Sequence, residues 1–314
     1  MPKKRIQSPS SINTYKQCPR KYYYKYNLSL PTKTNVHQLR GKIAHAVLED
    51  FFDIEPSTLT FENVELALKK RIQELFIAHW QLNQEGMASF KLAEDQLKFY
   101  FSETIVMLFN WLNQFLQKLK EQQAPSCQEA FKLLTPLREE EYLSTPLSVH
   151  GFIDAIEYTD GKACIMDYKT STELEITEEQ RLQLAIYSLL YREKHGETPQ
   201  KAGIYFLRFK PKFITVDNTL LEEAHKEIEL IHQKTQSDTI EDYPLKPSPL
   251  CKWCDFYTLC FEQKSITDYL SSTQKKEPEQ TLQTQPDSPK ETLSLPRDDP
   301  ETSGLSVQPQ THTH

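Results

Sequence analysis

The sequence predicts an α/β fold, a small mixed sheet with helices on its faces. Two observations carry that prediction. Short β-prone runs fill residues 139–143, both sides of Asp160-Gly161, residues 202–209 and residues 213–216. Between and before them lie long stretches with apolar residues at helical spacing. The 314 residues suffice for one large domain or two small ones.

In chain order, Ser8 or Ser10 is placed to cap a helical stretch that runs to Tyr26, with Cys18-Pro19 within or at the end of its first piece. Residues 40–52 read as an amphipathic helix, with Ile43, Val47, Leu48, Phe51 and Phe52 as its apolar face. His45 lies close to that face, and by position alone it reads as a core histidine with a satisfied hydrogen bond. Residues 61–80 and 90–122 are long helical patterns with a break around Gly86. Trp111, Leu112, Phe115, Leu116 and Leu119 repeat as a core stripe. Residues 139–143 read as a strand. Glu140 is available as an extra acid, but three consecutive glutamates mark solvated charge and stay outside the predicted site.

Asp160-Gly161 is the pair best suited to a two-residue hairpin turn. Thr159 then faces Lys162, and Asp154 falls directly opposite Asp167, with Cβ atoms about 5 Å apart on one face. Lys169, two residues further on, shares that face, whereas Cys164 points away from the acids. Opposed like charges destabilise a strand pair unless a cation lies between them, and magnesium favours one or two carboxylates with phosphate oxygens and water. Such an ion makes water a better nucleophile at neutral pH, and a neighbouring lysine offsets charge developing on a phosphate. A surface hairpin with a local ion pair, Asp167 or Asp154 to Lys169, satisfies the same spacing. Residues 178–194 read as a helix with Gln183 and Tyr187 one turn apart, either site residues or a polar notch on a core helix. Two strands joined at Lys210-Pro211 and a helix over 220–234 follow. From residue 271 large apolar residues nearly vanish, so 271–314 reads as a disordered tail, and His312 and His314 receive no role.

The net charge of -7 and pI of 5.8 do not suggest a generic nucleic-acid binder. Residues 1–48, however, hold ten Lys or Arg and no Asp or Glu, interleaved with Tyr15, Tyr22, Tyr23, Tyr24 and Tyr26. Basic residues track phosphates and aromatic rings stack on bases, which makes this a candidate single-strand contact surface. The other reading is a basic arm whose tyrosines pack beneath a helix. No apolar run reaches transmembrane length and no secretory signal opens the chain, so no membrane association and a cytoplasmic location are expected. No Gly-x-x-x-x-Gly-Lys-Ser/Thr loop is present, so the chain is not an ATP-driven motor of that type.

Among six cysteines, Cys251, Cys254 and Cys260 are clustered, and Cys18 is the candidate fourth thiol. Such a set would join the two ends of the folded part. Four thiolates accept zinc or a four-iron cluster, and spacing does not choose between them. Cys127 and Cys164 receive no role.

Gly151-Phe152-Ile153-Asp154 followed by Asp167-Tyr168-Lys169-Thr170 resembles the core of the PD-(D/E)XK nuclease superfamily, and its RecB- and Cas4-type branch in particular. Gly41-Lys42-Ile43-Ala44-His45 with Leu48-Glu49 resembles that branch's histidine motif. Gln183-Leu184-Ala185-Ile186-Tyr187 resembles its Gln-x-x-x-Tyr motif, and the four cysteines its iron–sulfur ligands. The proline of the superfamily's name is absent, with Ile153 before Asp154. The resemblance implies a restriction-endonuclease-like core over residues 1–270, a helical insert at about 55–125 capping the groove, and a 4Fe–4S staple on Cys18, Cys251, Cys254 and Cys260. It implies Mg²⁺ or Mn²⁺ held by His45, Asp154, Asp167 and the Tyr168 carbonyl. Lys169 would position water, and Gln183 and Tyr187 would orient phosphate or nucleophile. The expected activity is exonucleolytic hydrolysis of single-stranded or unwinding DNA in repair, recombination or CRISPR adaptation, beside a helicase or adaptation partner. The alternatives are a non-catalytic DNA-binding or helicase-docking module and a zinc-stapled RNA-processing nuclease.

Overall fold

A computed structural model describes residues 5–274. It contains one five-stranded sheet in the order β1 (Leu137–Ser144), β2 (Val149–Thr159), β3 (Lys162–Lys169), β4 (Lys201–Phe206) and β5 (Pro211–Thr215). All neighbours are antiparallel except β3 and β4. That parallel pair needs a crossover, and a helix between the two strands supplies it. The turn is Asp160-Gly161, with φ of 51° and 71°, the left-handed pair that a type I′ hairpin requires.

Helices cover both faces. On one face, α8 (Glu178–His195) and α9 (Asn218–Lys234) pack Leu184, Ile186, Leu190, Leu221 and Ile228 against Ile153, Ile165 and Ile204. On the other lie α3 (Val36–Phe51), α4 (Val64–Leu82), α5 (Gln84–Ser89), α6 (Glu94–Glu121) and α7 (Cys127–Leu134). Trp111, Leu112, Phe115, Leu116 and Leu119 of α6 are buried there with Phe51 and Phe131, as the stripe predicted. The chain near Gly86 forms α5 rather than a plain break. Helix α3 begins four residues before the predicted start, because Asn35 and Gln38 cap each other's backbone N–H.

The N-terminal segment forms α1 (Pro9–Gln17), capped by Ser8, and α2 (Pro19–Tyr22), followed by a π-helical turn at Tyr23–Asn27. Tyr22, Tyr23 and Tyr24 are 0, 8 and 4 % exposed and pack with Tyr243, Phe256 and Tyr269. These three rings are therefore closed to stacking on bases, which corrects the single-strand surface expected of them. The basic residues among them are largely engaged: Lys16 pairs with Glu227, Arg20 donates to the Tyr243 carbonyl, and Arg40 is buried. The tail expected over 271–314 lies outside the described residues beyond Gln274, and Ser271 belongs to the last helix, Ile266–Gln274. Among the described residues no helix is long and apolar enough to cross a membrane.

Candidate active site and cysteine cavity

The site lies where β2 and β3 part. Their pairing runs in the predicted register from Thr159–Lys162 to Ala155–Met166 and stops just short of Asp154 and Asp167. Beyond that point β2 continues along β1 while β3 continues along β4. Asp154 fills the opening, and its Oδ2 accepts a hydrogen bond from the Tyr168 N–H at 2.7 Å. At the same level β2 changes face. Ile153 packs on the α8 side, yet Ala155, also odd-numbered, packs on the α3 side. In β1 the register leaves Glu139 opposite Asp154, and Glu139 takes φ of 46°. A left-handed non-glycine backbone costs roughly 1–2 kcal/mol, and here it turns a carboxylate toward Asp154.

His45 reaches this opening from α3. Its Nδ1 is 3.3 Å from Asp154 Oδ2, and its Nε2 is 2.8 Å from the Tyr168 carbonyl oxygen. Ligand atoms of His45, Glu139 and Asp154 all lie within 4.8 Å of one another, the one such group of three among the described residues. Glu139 is the residue that sequence reasoning missed. No local signal marks it, because the β1–β2 register that sets Glu139 against Asp154 appears only in the structure. Glu140, named as an available acid and left outside the predicted site with its neighbours, points to the α8 side and pairs with Lys194.

Asp167 sits behind this group, 2 % exposed. Lys169 Nζ is 2.5 Å from its Oδ2, and Gln183 Nε2 donates to its Oδ1 at 3.0 Å and to the Tyr187 hydroxyl at 2.9 Å. Gln183 and Tyr187 thus brace Asp167 from α8. A Cβ on Gly151 would come 2.8 Å from the Tyr187 ring, so glycine in β2 is what lets that ring lie against the strand.

Burial alone would lower the His45 pKa, but the adjoining Asp154 and the nearby Asp167 lift it to about 8. Burial pushes Asp154 up, and His45, the Tyr168 N–H and Lys169 together hold it below its usual range. For Asp167 burial prevails and its pKa is raised despite Lys169. Burial would lower Lys169, but Asp167 and Asp154 keep it above its ordinary value, an ammonium at neutral pH. Glu139 is pushed up to about 7 by burial and then by Asp154 and Glu49. Crowded acids of this kind are relieved by a cation, and two carboxylates with an imidazole and a carbonyl oxygen are a donor set that divalent ions accept. The group opens on a groove of about 940 Å³ walled by α3, the loop after β3, and Arg208. None of α4–α7 contributes to its lining, and Glu103 of α6 reaches it only through Arg208.

A second constellation lies at the far end of the chain's course. Cys18 sits between α1 and α2, Cys251 lies within the turn at Pro249–Trp253 and Cys254 directly follows it, and Cys260 lies on the short helix α10 (Tyr257–Phe261). All four are free thiols and line one cavity of about 220 Å³. Burial, then the neighbouring cysteines, raises Cys260 to about 11. Cys251 Sγ accepts from the Ser248 N–H at 3.3 Å.

A family profile described as the PD-(D/E)XK nuclease superfamily matches residues 7–261. No curated protein matches the chain. Among solved structures, a candidate exonuclease from Eubacterium rectale is 15 % identical, covers 84 % of this chain and 92 % of its own, and superposes with a TM-score of 0.48. The protein SSO0001 is also 15 % identical, over 79 % of this chain and 96 % of its own, with a TM-score of 0.27. The profile spans all five strands and the parted hairpin, and the chain belongs to the PD-(D/E)XK nuclease superfamily.

Proposed function

We propose that this chain is a magnesium- or manganese-dependent DNA nuclease, acting as an exonuclease on single-stranded or unwinding DNA. Its setting would be repair, recombination or CRISPR adaptation, with the strand presented by a helicase or adaptation partner. The observation that supports this best is the convergence of His45, Glu139 and Asp154 beside Lys169, at the open end of the sheet. Asp154, His45, Glu139 and the Tyr168 carbonyl would hold the ion, with Asp167 alongside. A divalent ion there would acidify water and offset charge on the phosphate.

Lys169 keeps its proton, so it acts as a fixed positive charge that orients the attacking water and stabilises the phosphate oxygens as they gain charge. Asp167 holds that ammonium in place at 2.5 Å. Gln183 and Tyr187 act through Asp167 rather than on the phosphate, since the Gln183 amide is occupied by the carboxylate and neither side chain lines the groove. The Asp154 carboxylate and the Tyr168 N–H fix the strands at the width the site needs.

The four cysteines are assigned to a 4Fe–4S cluster rather than zinc. All four thiols line one cavity of about 220 Å³. Four thiolates accept either zinc or a four-iron cubane, and the resemblance of the cysteine pattern to the Cas4-type branch is what favours the cubane.

Digestion of end-labelled single-stranded DNA with added Mn²⁺, against a chelator control, tests the nuclease. Wild type is expected to cleave, and Asp154→Ala and Lys169→Ala to retain DNA without cutting it; unchanged cutting by either variant rejects the assignment. Anaerobically purified protein is expected to be brown with acid-labile sulfide. Colourless protein carrying stoichiometric zinc would reject the cluster.

A further inference from the structure

The groove is divided by charge. Its acids, Glu49, Glu139 and Asp154, gather at the His45 end, close enough that Asp154 and Glu49 both act on the Glu139 carboxyl. One helical turn back along the α3 wall lie Gly41 and Lys42 and, across from Gly41, Thr170 and Arg208. A Cβ on Gly41 would be 3.5 Å from Thr170 Oγ1, and Arg208 Nε donates to the Thr170 carbonyl at 3.0 Å. Arg208 therefore stands one residue beyond Lys169.

Arg208 is one of three linked charges. Its Nη1 is bonded to Glu103 Oε1, and Glu103 Oε2 accepts from Arg40 Nη2 at 2.6 Å. Arg40 is 2 % exposed; its Nε donates to Thr104 Oγ1 at 3.0 Å and its guanidinium lies 4.6 Å from the Tyr100 ring centre. Both Glu103 oxygens are used, so two cations share one anion and a unit of positive charge is left over. An uncompensated charge is costly wherever water is excluded. Arg40 is enclosed, so the excess is delivered at Arg208, whose Nη2 has no partner among the described residues and which lines the groove. Ser171 Oγ, also in the lining, is buried with no hydrogen-bond partner among the described residues. Lys42 is exposed and makes no ion pair among them.

We propose that Arg208, Lys42 and Ser171 form an anion subsite for a backbone phosphate of the substrate strand, next to the phosphate that is cut. The Arg40–Glu103 pair preorganises Arg208 for it. This rests on the nuclease reading and adds a second phosphate site to it. A planar guanidinium held on two sides presents its remaining edge to phosphate with little ordering cost. The same bond to Thr170 steadies the end of β3, so the subsite and Lys169 keep a fixed separation.

The test is binding of a fluorescent oligothymidylate to the full chain in chelator, read by anisotropy from low to high salt, with cleavage in Mn²⁺ measured separately. Lys42→Ala and Arg208→Ala are each expected to weaken binding about three- to tenfold. Each should also flatten the salt slope by about 0.7, the value for one phosphate charge no longer neutralised on a single strand. Ser171→Ala should weaken binding about threefold with an unchanged slope, as an uncharged hydrogen bond does. Glu103→Gln keeps both arginines, and its slope should stay near wild type while its KM rises. Wild-type affinity and slope in both Lys42→Ala and Arg208→Ala overturns the subsite, whatever the cleavage result. Wild type that binds with these dependences but never cuts overturns the nuclease reading and leaves the subsite standing. An Arg208→Ala protein that fails to fold leaves Lys42→Ala and Ser171→Ala, which break no internal bond, to decide.

Discussion

Glu139→Gln should make the ion-free protein more stable. Glu139 is held in a left-handed backbone beside Asp154, with Glu49 near, and its pKa rises from about 4.5 to about 7. At full burial a displacement of that size is worth about 3 kcal/mol. Solvent in the groove screens the carboxyl, which brings the figure to roughly 1–2 kcal/mol. The folded pKa lies above the unfolded one, so this carboxyl's contribution to stability is whole below pH 4.5 and is lost as pH rises through about 7. Glutamine has no such dependence. In chelator the two proteins should melt together near pH 4.5, and the variant about 3–6 °C higher near pH 8. Saturating Mg²⁺ should reverse the order, because an ion at a hundred times its Kd adds about 2.7 kcal/mol and the variant has lost a ligand. The assay is differential scanning fluorimetry across pH, with and without metal. A variant less stable than wild type in chelator at pH 8, or a gap that does not change with pH, refutes the reasoning.

Gln183→Ala removes the amide that braces Asp167 and should lower kcat about 10–100-fold, with KM little changed, in steady-state cleavage. His45 is held protonated up to about pH 8, so an ion that binds its ring must displace that proton. Mg²⁺ affinity should accordingly weaken as pH falls below 8, with proton release seen by calorimetry in buffers of different ionisation enthalpy; an unchanged heat across buffers contradicts it. Gly151→Ala would drive a methyl into the Tyr187 ring and should cost about 1–3 kcal/mol in denaturant unfolding. It should also lower kcat, because Tyr187 adjoins Gln183.

The hairpin was legible because Asp160-Gly161 fixes a two-residue turn, and the turn fixes every pair down to Ala155–Met166. Helices α6 and α8 were legible because each keeps its apolar period for several turns. Glu139 was not, since nothing local marks a left-handed residue inside a strand, and it lies in a run of three glutamates that reads as solvated charge. The tyrosines at 22–24 were misread for a related reason. Alternating rings and lysines suit a base-stacking surface, but burial depends on Tyr243 and Phe256, more than 200 residues away. Helix α7 was missed because it is only eight residues long, too short for its period to stand out. His45 lay open to two readings, and the Tyr168 carbonyl that engages its ring comes from a strand 123 residues on.

The central claim is that His45, Glu139 and Asp154 gather around one divalent ion at the mouth of the parted strands. Anomalous diffraction from crystals soaked in Mn²⁺ measures this without reference to activity. The account predicts a manganese peak within bonding distance of all three side chains and of the Tyr168 carbonyl. Manganese bound elsewhere, with these ligands still turned on one another, would contradict it.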